Sequence, residues 1–120
     1  MRLVLRILFF CIIPFKLLPI LVAEELRIAT YNLNNYLITD RYMDGRWRPS
    51  YPKPEKEKAV IRQIIKDVSP DVLVLQEIGS IDFLHELRAD MALDGIHYDY
   101  FEHMEGADQN RYLAVLSKRA

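Results

Sequence analysis

Cysteine is almost missing from this sequence: the 120 residues contain one, Cys11. It lies in an apolar stretch at the start, so everything after residue 23 lacks a disulfide partner and a thiolate nucleophile or ligand. Acidic residues are missing from that same stretch. Residues 1–23, MRLVLRILFFCIIPFKLLPILVA, contain three cations and no Asp or Glu. The rest of the chain lacks a basic excess. Arg2, Arg6 and Lys16 are three of the 16 Lys and Arg, which leaves 13 against 17 Asp and Glu, a net charge of −4. A protein held on nucleic acid by charge alone carries a basic face, and this balance argues against that class. It leaves room for an enzyme that holds phosphate through a metal ion. Internal repeats and low-complexity tracts are also absent.

What the first 23 residues do contain has the order of a secretory signal. Arg2 and Arg6 make a basic start, Ile7 to Phe15 an apolar centre, and Leu21-Val22-Ala23 ends in a small residue before Glu24-Glu25. The alternative is an uncleaved anchor, since the full stretch is long enough to reach across a bilayer. A lipidated Cys11 fits poorly because bulky Phe10 precedes it. On the first two readings the remainder is secreted, periplasmic or anchored outside the cytoplasm.

Leu26 to Tyr31 alternates apolar and polar residues and reads as a strand. Residues 33–54, with Gly45, Pro49, Pro52 and Pro54, read as a long loop. Its aromatics Tyr36, Tyr42, Trp47 and Tyr51 either stack on bases, touch a lipid surface or pack down. Pro54, Glu55 and Glu57 suit a helix start, and Val60, Ile61, Ile64, Ile65 and Val68 share one helical face. Ser69-Pro70 stops that helix. Asp71 to Leu75 is an apolar run expected for a strand buried on both faces. Ser80 caps a second helix with Phe83, Leu84, Leu87 and Met91 inside and Gly95 at its end. His97 to His103 and Tyr112 to Ser117 read as two further strands joined by a polar turn, Glu105 to Asn110.

Strand–helix–strand at this length implies parallel strands that finish at the same sheet edge, where ligands bind in open α/β sheets. The first of these strands runs into Asn32 and the second into Gln76-Glu77. A carboxylate and an amide side by side offer oxygen to a hard cation. Mg²⁺ uses one or two carboxylates plus waters and substrate phosphate. Glu77 is the candidate direct ligand. Asn32 shares the site, as an oxygen ligand or as a hydrogen-bond partner to a phosphate oxygen or bound water. A lone Asn and a lone Glu after strands are more often caps or turn residues.

The local sequences add a resemblance. Arg27 to Asn35 (RIATYNLNN) resembles the opening strand of the endonuclease/exonuclease/phosphatase superfamily, and Pro70 to Ile78 (PDVLVLQEI) is similar to its second motif. Leu113 to Lys118 (LAVLSK) looks like a later strand of that family. The resemblance covers about residues 26–118. It implies an α/β fold of the pancreatic deoxyribonuclease type, a four-layer arrangement of two packed mixed β-sheets with helices outside. It also implies phosphoester hydrolysis with Mg²⁺ or Mn²⁺, on nucleic acid, phospholipid or inositol phosphate. Residue by residue, it makes Glu77 the metal ligand and Asn32 the active-site amide beside metal and phosphate. Asn34 and Asn35 are motif neighbours without a role. Asp108, Asn110 and Arg111 are substrate-contact candidates; Arg111 suits a phosphate oxygen or is simply an exposed turn cation.

Several family features are not in this stretch. The family's second half supplies an Asp-x-Asn motif and a terminal Asp-His pair, which orient the attacking water and help hold the metal, and the expectation is that the chain stops at Ala120, before that half. The histidines His85, His97 and His103 have no Asp-His context and read as structural or solvated. Some relatives carry arginine two places after the motif glutamate, where this chain has Gly79, which favours other branches. The expectation is therefore a truncated enzyme, inactive as these 120 residues alone. The alternatives are a non-catalytic binding remnant of the family, or a membrane-tethered interaction protein that would leave Asn32 and Glu77 unexplained.

Overall fold

A computed structural model describes residues 24–120; the predicted signal or anchor, residues 1–23, lies outside the described residues. Eight elements follow in order: β1 (Ile28–Tyr36), β2 (Thr39–Met43), β3 (Arg46–Tyr51), α1 (Glu55–Val68), β4 (Val72–Ile78), α2 (Ile81–Leu93), β5 (Tyr100–Met104) and β6 (Tyr112–Ser117). The fold is mixed α/β. Four strands form one sheet in the order β1-β4-β6-β5, and β2 and β3 form a separate hairpin. β1 and β4 run parallel, as the helical crossover between them requires, and β6 is antiparallel to both β4 and β5.

Both helices cover the same face of the sheet. Leu33, Leu73, Leu75, Ala114 and Leu116 from the strands meet Ile61 and Ile65 of α1 and Leu84, Leu87 and Met91 of α2 in one buried cluster. Each large aliphatic side chain there is worth about 1.5–3 kcal/mol against full exposure. A polar clamp joins the two helices above this cluster. Lys58 of α1 pairs with Glu86 of α2, Tyr36 Oη donates to the same carboxylate at 3.1 Å, and the Lys58 ammonium lies 5.1 Å from the Tyr36 ring centroid. Burial and the Glu86 charge push the Tyr36 hydroxyl well above its usual pKa.

The helix boundaries follow their punctuation. Pro54 is the N-cap of α1 and Ser69, left-handed at φ 47, is its C-cap. Ser69 leaves the helical region by turning left-handed, and is not extended as the following proline would favour. Ser80 occupies the N-cap of α2 without a side-chain cap bond, and Gly95 takes φ 81 just past its end.

Three expectations need correction. Residues 33–54 are not a loop: β1 continues to Tyr36 and a hairpin follows. Asp44 and Gly45 supply the two positive φ values, 52 and 76, that a tight two-residue hairpin turn demands. Tyr42 and Trp47 pair directly across it with ring centroids 5.6 Å apart. The α1 stripe is also narrower than its periodicity suggests. Ile61 and Ile65 are buried, whereas Val60, Ile64 and Val68 are exposed beside the free edge of β1. Finally, among the described residues β4 is covered on one face only. Leu73 and Leu75 are buried, while Val72 and Val74 are partly exposed on the other face, which also carries exposed Ile28, Leu113 and Tyr100. Among smaller differences, β5 begins at Tyr100, so His97 lies outside it.

Among the described residues no helix is long and apolar enough to cross a membrane. Leu75→Ala should cost about 2–5 kcal/mol, the range for emptying a buried leucine site, while Val60→Ser should stay within roughly 0.5 kcal/mol. Urea unfolding of both variants checks the assignment of inner and outer faces.

Candidate functional site

The site is built on a break in strand register. β1 and β4 run in step from Ile28↔Val72 to Asn32↔Gln76 and resume only at Tyr36↔Ile78. Leu33, Asn34 and Asn35 on one strand thus face Glu77 alone on the other. On the β6 side, pairing passes from Gln76↔Leu113 to Ile78↔Tyr112, so Glu77 is the extra residue of a bulge. Asn34, Asn35 and Glu77 take φ of 52, 61 and 58. Asn tolerates this left-handed region better than most residues, and Glu does not. Such strain, on the order of 1 kcal/mol or more per residue, persists only where surrounding contacts impose it.

Those contacts centre on the Glu77 carboxylate. Asn32 Nδ2 donates to Oε1 at 3.1 Å, and the Asn35 backbone N–H donates to Oε2 at 3.0 Å. The Asn34 N–H in turn donates to Asn32 Oδ1 at 2.8 Å. Together these bonds fix the Asn32 amide orientation, because a flip would set N–H against N–H and oxygen against carboxylate. Asn32 thus spends its oxygen on the Asn34 N–H and one amide N–H on Glu77. Among the described residues each Glu77 oxygen accepts one hydrogen bond.

Further groups hold the bulged β1 segment from behind. Lys53, 4 % exposed, donates to the Asn34 carbonyl at 2.8 Å and pairs with Glu57 at 2.8 Å. Arg41 Nη2 donates to the carbonyls of Asn35 and Leu37, and its Nε to that of Tyr51. Burial lowers the Arg41 pKa from its ordinary value. Sequence reasoning missed both cations, since their partners are backbone carbonyls that no side-chain motif reveals. Hairpin recognition from Asp44-Gly45 would have been the one signal leading to Arg41.

Of the three loop candidates, Arg111 reaches the site: its Nε donates to Asn35 Oδ1 at 2.7 Å. Asp108 organises the loop, accepting from the backbone N–H of Asn110 and Arg111 and pairing with Arg111 Nη1 at 3.0 Å. The Asn110 N–H, followed by Arg111, holds the Asp108 carboxyl below its usual range. Asn110 therefore contributes its backbone to this turn. A groove of about 450 Å³ opens beside Asn32 and Asn34, bounded across from them by Lys53, Lys56 and Val60.

Among the described residues no histidine hydrogen-bonds a carboxylate. His103 Nε2 lies 2.9 Å from the Gly79 carbonyl and its ring packs on Tyr112. His85 meets the Phe101 ring edge-on, and His97 is exposed. Among the described residues no group of three His, Cys, Asp or Glu side chains converges to hold a metal. One carboxylate still suits a cation that completes its shell with water and phosphate.

Gly79 has a steric explanation. A Cβ there would meet Phe83 Cδ2 at 2.7 Å and Leu37 Cβ at 2.8 Å, so no arginine fits at that position. Gly79→Ala should destabilise by about 1–3 kcal/mol, as overpacking does, and chemical denaturation measures it. No protein-family model, curated protein or solved structure matches the chain.

Proposed function

We propose that residues 24–120 belong to an extracytoplasmic, Mg²⁺- or Mn²⁺-dependent phosphoester hydrolase. The observation that carries this reading is Glu77, a carboxylate at the carboxyl ends of two parallel strands, held among the described residues by two donors, one on each oxygen. The resemblance of residues 27–35 and 70–78 to the endonuclease/exonuclease/phosphatase superfamily supports the same assignment. A divalent cation supplies Lewis-acid polarisation of a phosphoryl oxygen.

The chain's own residues divide the work. Glu77 offers the anionic oxygen. Asn32 spends one amide N–H on Oε1 of Glu77 and keeps the other for a phosphoryl oxygen. Of the loop candidates Asp108, Asn110 and Arg111, only Arg111 has the charge sign a phosphate needs. The substrate is a phosphoester of nucleic acid, phospholipid or inositol phosphate. The apolar content of residues 1–23 supports export.

We extend the proposal to the fold: the four-stranded sheet is one layer of a two-sheet sandwich flanked by helices, as in pancreatic deoxyribonuclease. Support comes from the uncovered sheet face, where Ile28, Tyr100, Met104 and Leu113 are 63, 48, 42 and 47 % exposed. A sheet apolar on both faces calls for a second layer.

The metal assignment is tested by titrating the chain with Mn²⁺ and following the free ion by electron paramagnetic resonance. The wild type should bind and Glu77→Gln should not, while the variant loses about 1.5–3 kcal/mol of stability with one hydrogen bond to the charged acceptor. Equal binding by both proteins sinks the assignment. The 120-residue chain alone should not hydrolyse a generic phosphodiester in Mg²⁺, because among the described residues no histidine hydrogen-bonds a carboxylate to relay a proton from water. Chelator-sensitive turnover that vanishes with Glu77→Gln would reverse this expectation.

A further inference from the structure

Asn35 has an unusual number of obligations for a residue in a bulge. Its N–H holds Glu77 Oε2, its carbonyl accepts from Arg41 and from the Leu37 N–H, and its side-chain oxygen accepts from Arg111. Arg41 and Leu37 come from the same stretch of chain and stay with it wherever it moves. Apart from Glu77 itself, 42 residues on, Arg111 is the group among the described residues that ties Asn35 to a distant part of the fold, 76 residues away in sequence. That part is well placed for the task. Arg111 immediately precedes β6, and β6 flanks the Glu77 bulge through the pairs Gln76↔Leu113 and Ile78↔Tyr112.

The charges are arranged to let Arg111 hold Asn35 without neutralising the carboxylate. Among the described residues Arg111 makes an ion pair with Asp108 and none with Glu77. Asp108 grips both the loop backbone and Nη1, so Nε is presented to Asn35 from a preformed turn. A guanidinium seated directly on Glu77 would have filled the lone pairs a cation needs. Placed one residue removed, it fixes the geometry and leaves the charge of Glu77 available.

We propose that Arg111 is a positioning residue for Glu77. Through Asn35 Oδ1 it sets the left-handed Asn35 backbone, whose N–H orients the carboxylate toward a divalent cation. The proposal rests on the metal reading of Glu77 given above. It departs from a direct phosphate contact as the principal task of Arg111, since Nε and Nη1 are both committed to protein partners.

Electrostatics and positioning predict opposite signs, which makes the test sharp. Removing a cation near an anionic site should tighten Mn²⁺ binding if charge alone matters. If Arg111 positions Glu77, Arg111→Met should weaken Mn²⁺ binding roughly tenfold, the usual scale for losing a group that orients a ligand. Asn35→Gly is the second variant: glycine accepts the left-handed backbone freely and keeps the N–H, but removes Oδ1. It should show the same loss, and the double variant should lose no more than either single one. The measurement is the Mn²⁺ dissociation constant of the full 120-residue chain, with circular dichroism to verify folding. Should Arg111→Met fail to fold, Asn35→Gly carries the test. Binding that needs Glu77 but is unchanged or tighter in the variants overturns the positioning role alone. No wild-type binding, or binding that survives Glu77→Gln, overturns the metal reading and the proposal with it.

Discussion

The bond between the Asn35 N–H and the Glu77 carboxylate is the constraint on which the rest of the site depends. It spans β1 and β4 at the point where their pairing breaks, and both ends are left-handed residues. Strain on the order of 1 kcal/mol or more at each such residue opposes this arrangement. Hydrogen bonds to a charged acceptor are worth about 1.5–3 kcal/mol each, and Glu77 receives two. The two sides are comparable, so the geometry persists only with outside help. Lys53, Arg41 and Arg111 provide it by holding Asn34 and Asn35 from three directions.

That reinforcement continues into the helix layer. Tyr36, next to Asn35, is fully buried, and its hydroxyl shares the Glu86 carboxylate with Lys58. Its backbone carbonyl accepts from the Gly79 N–H, two residues past Glu77. Asn35 and Glu77 are thus each followed by chain anchored in the core, and the site stands on packed elements. Gly79 sits at the tightest point of this anchorage, between Leu37 and Phe83, which explains why a side chain is excluded there.

The helices and β6 were legible, the helices because each had local punctuation, whereas β1 and β4 run past the ends read from the sequence, to Tyr36 and Ile78. Pro54, Ser69-Pro70, Ser80 and Gly95 mark helix ends where the structure has them. The parallel crossover then brought Asn32 and Glu77 together, and they hydrogen-bond. The hairpin was obscured by Pro49 and Pro52, which read as loop residues; Pro49 is tolerated because the hairpin stands alone and has free edges. The true core face of α1 was not legible, since five apolar residues span more of the helix than the sheet covers. Lys53 and Arg41 were invisible for a different reason: they bind carbonyls whose position depends on the bulge, and a bulge is a property of two strands at once.

The separations in sequence carry a kinetic consequence. Asn32 and Asn35 meet Glu77 across 45 and 42 residues, and Asn35 meets Arg111 across 76. By contrast, the β2–β3 turn and the helices close over short loops. Loop-closure entropy must be met before distant contacts reward it, and parallel strand pairing is intrinsically slow. The hairpin and the two helices can therefore form early, while the Glu77 site waits for β1 to find β4 and for β6 to join them. A chain emerging residue by residue meets the same order. Asn32 is made long before Glu77, and Arg111 comes last of the three, so the carboxylate acquires its final orientation only when β6 has docked.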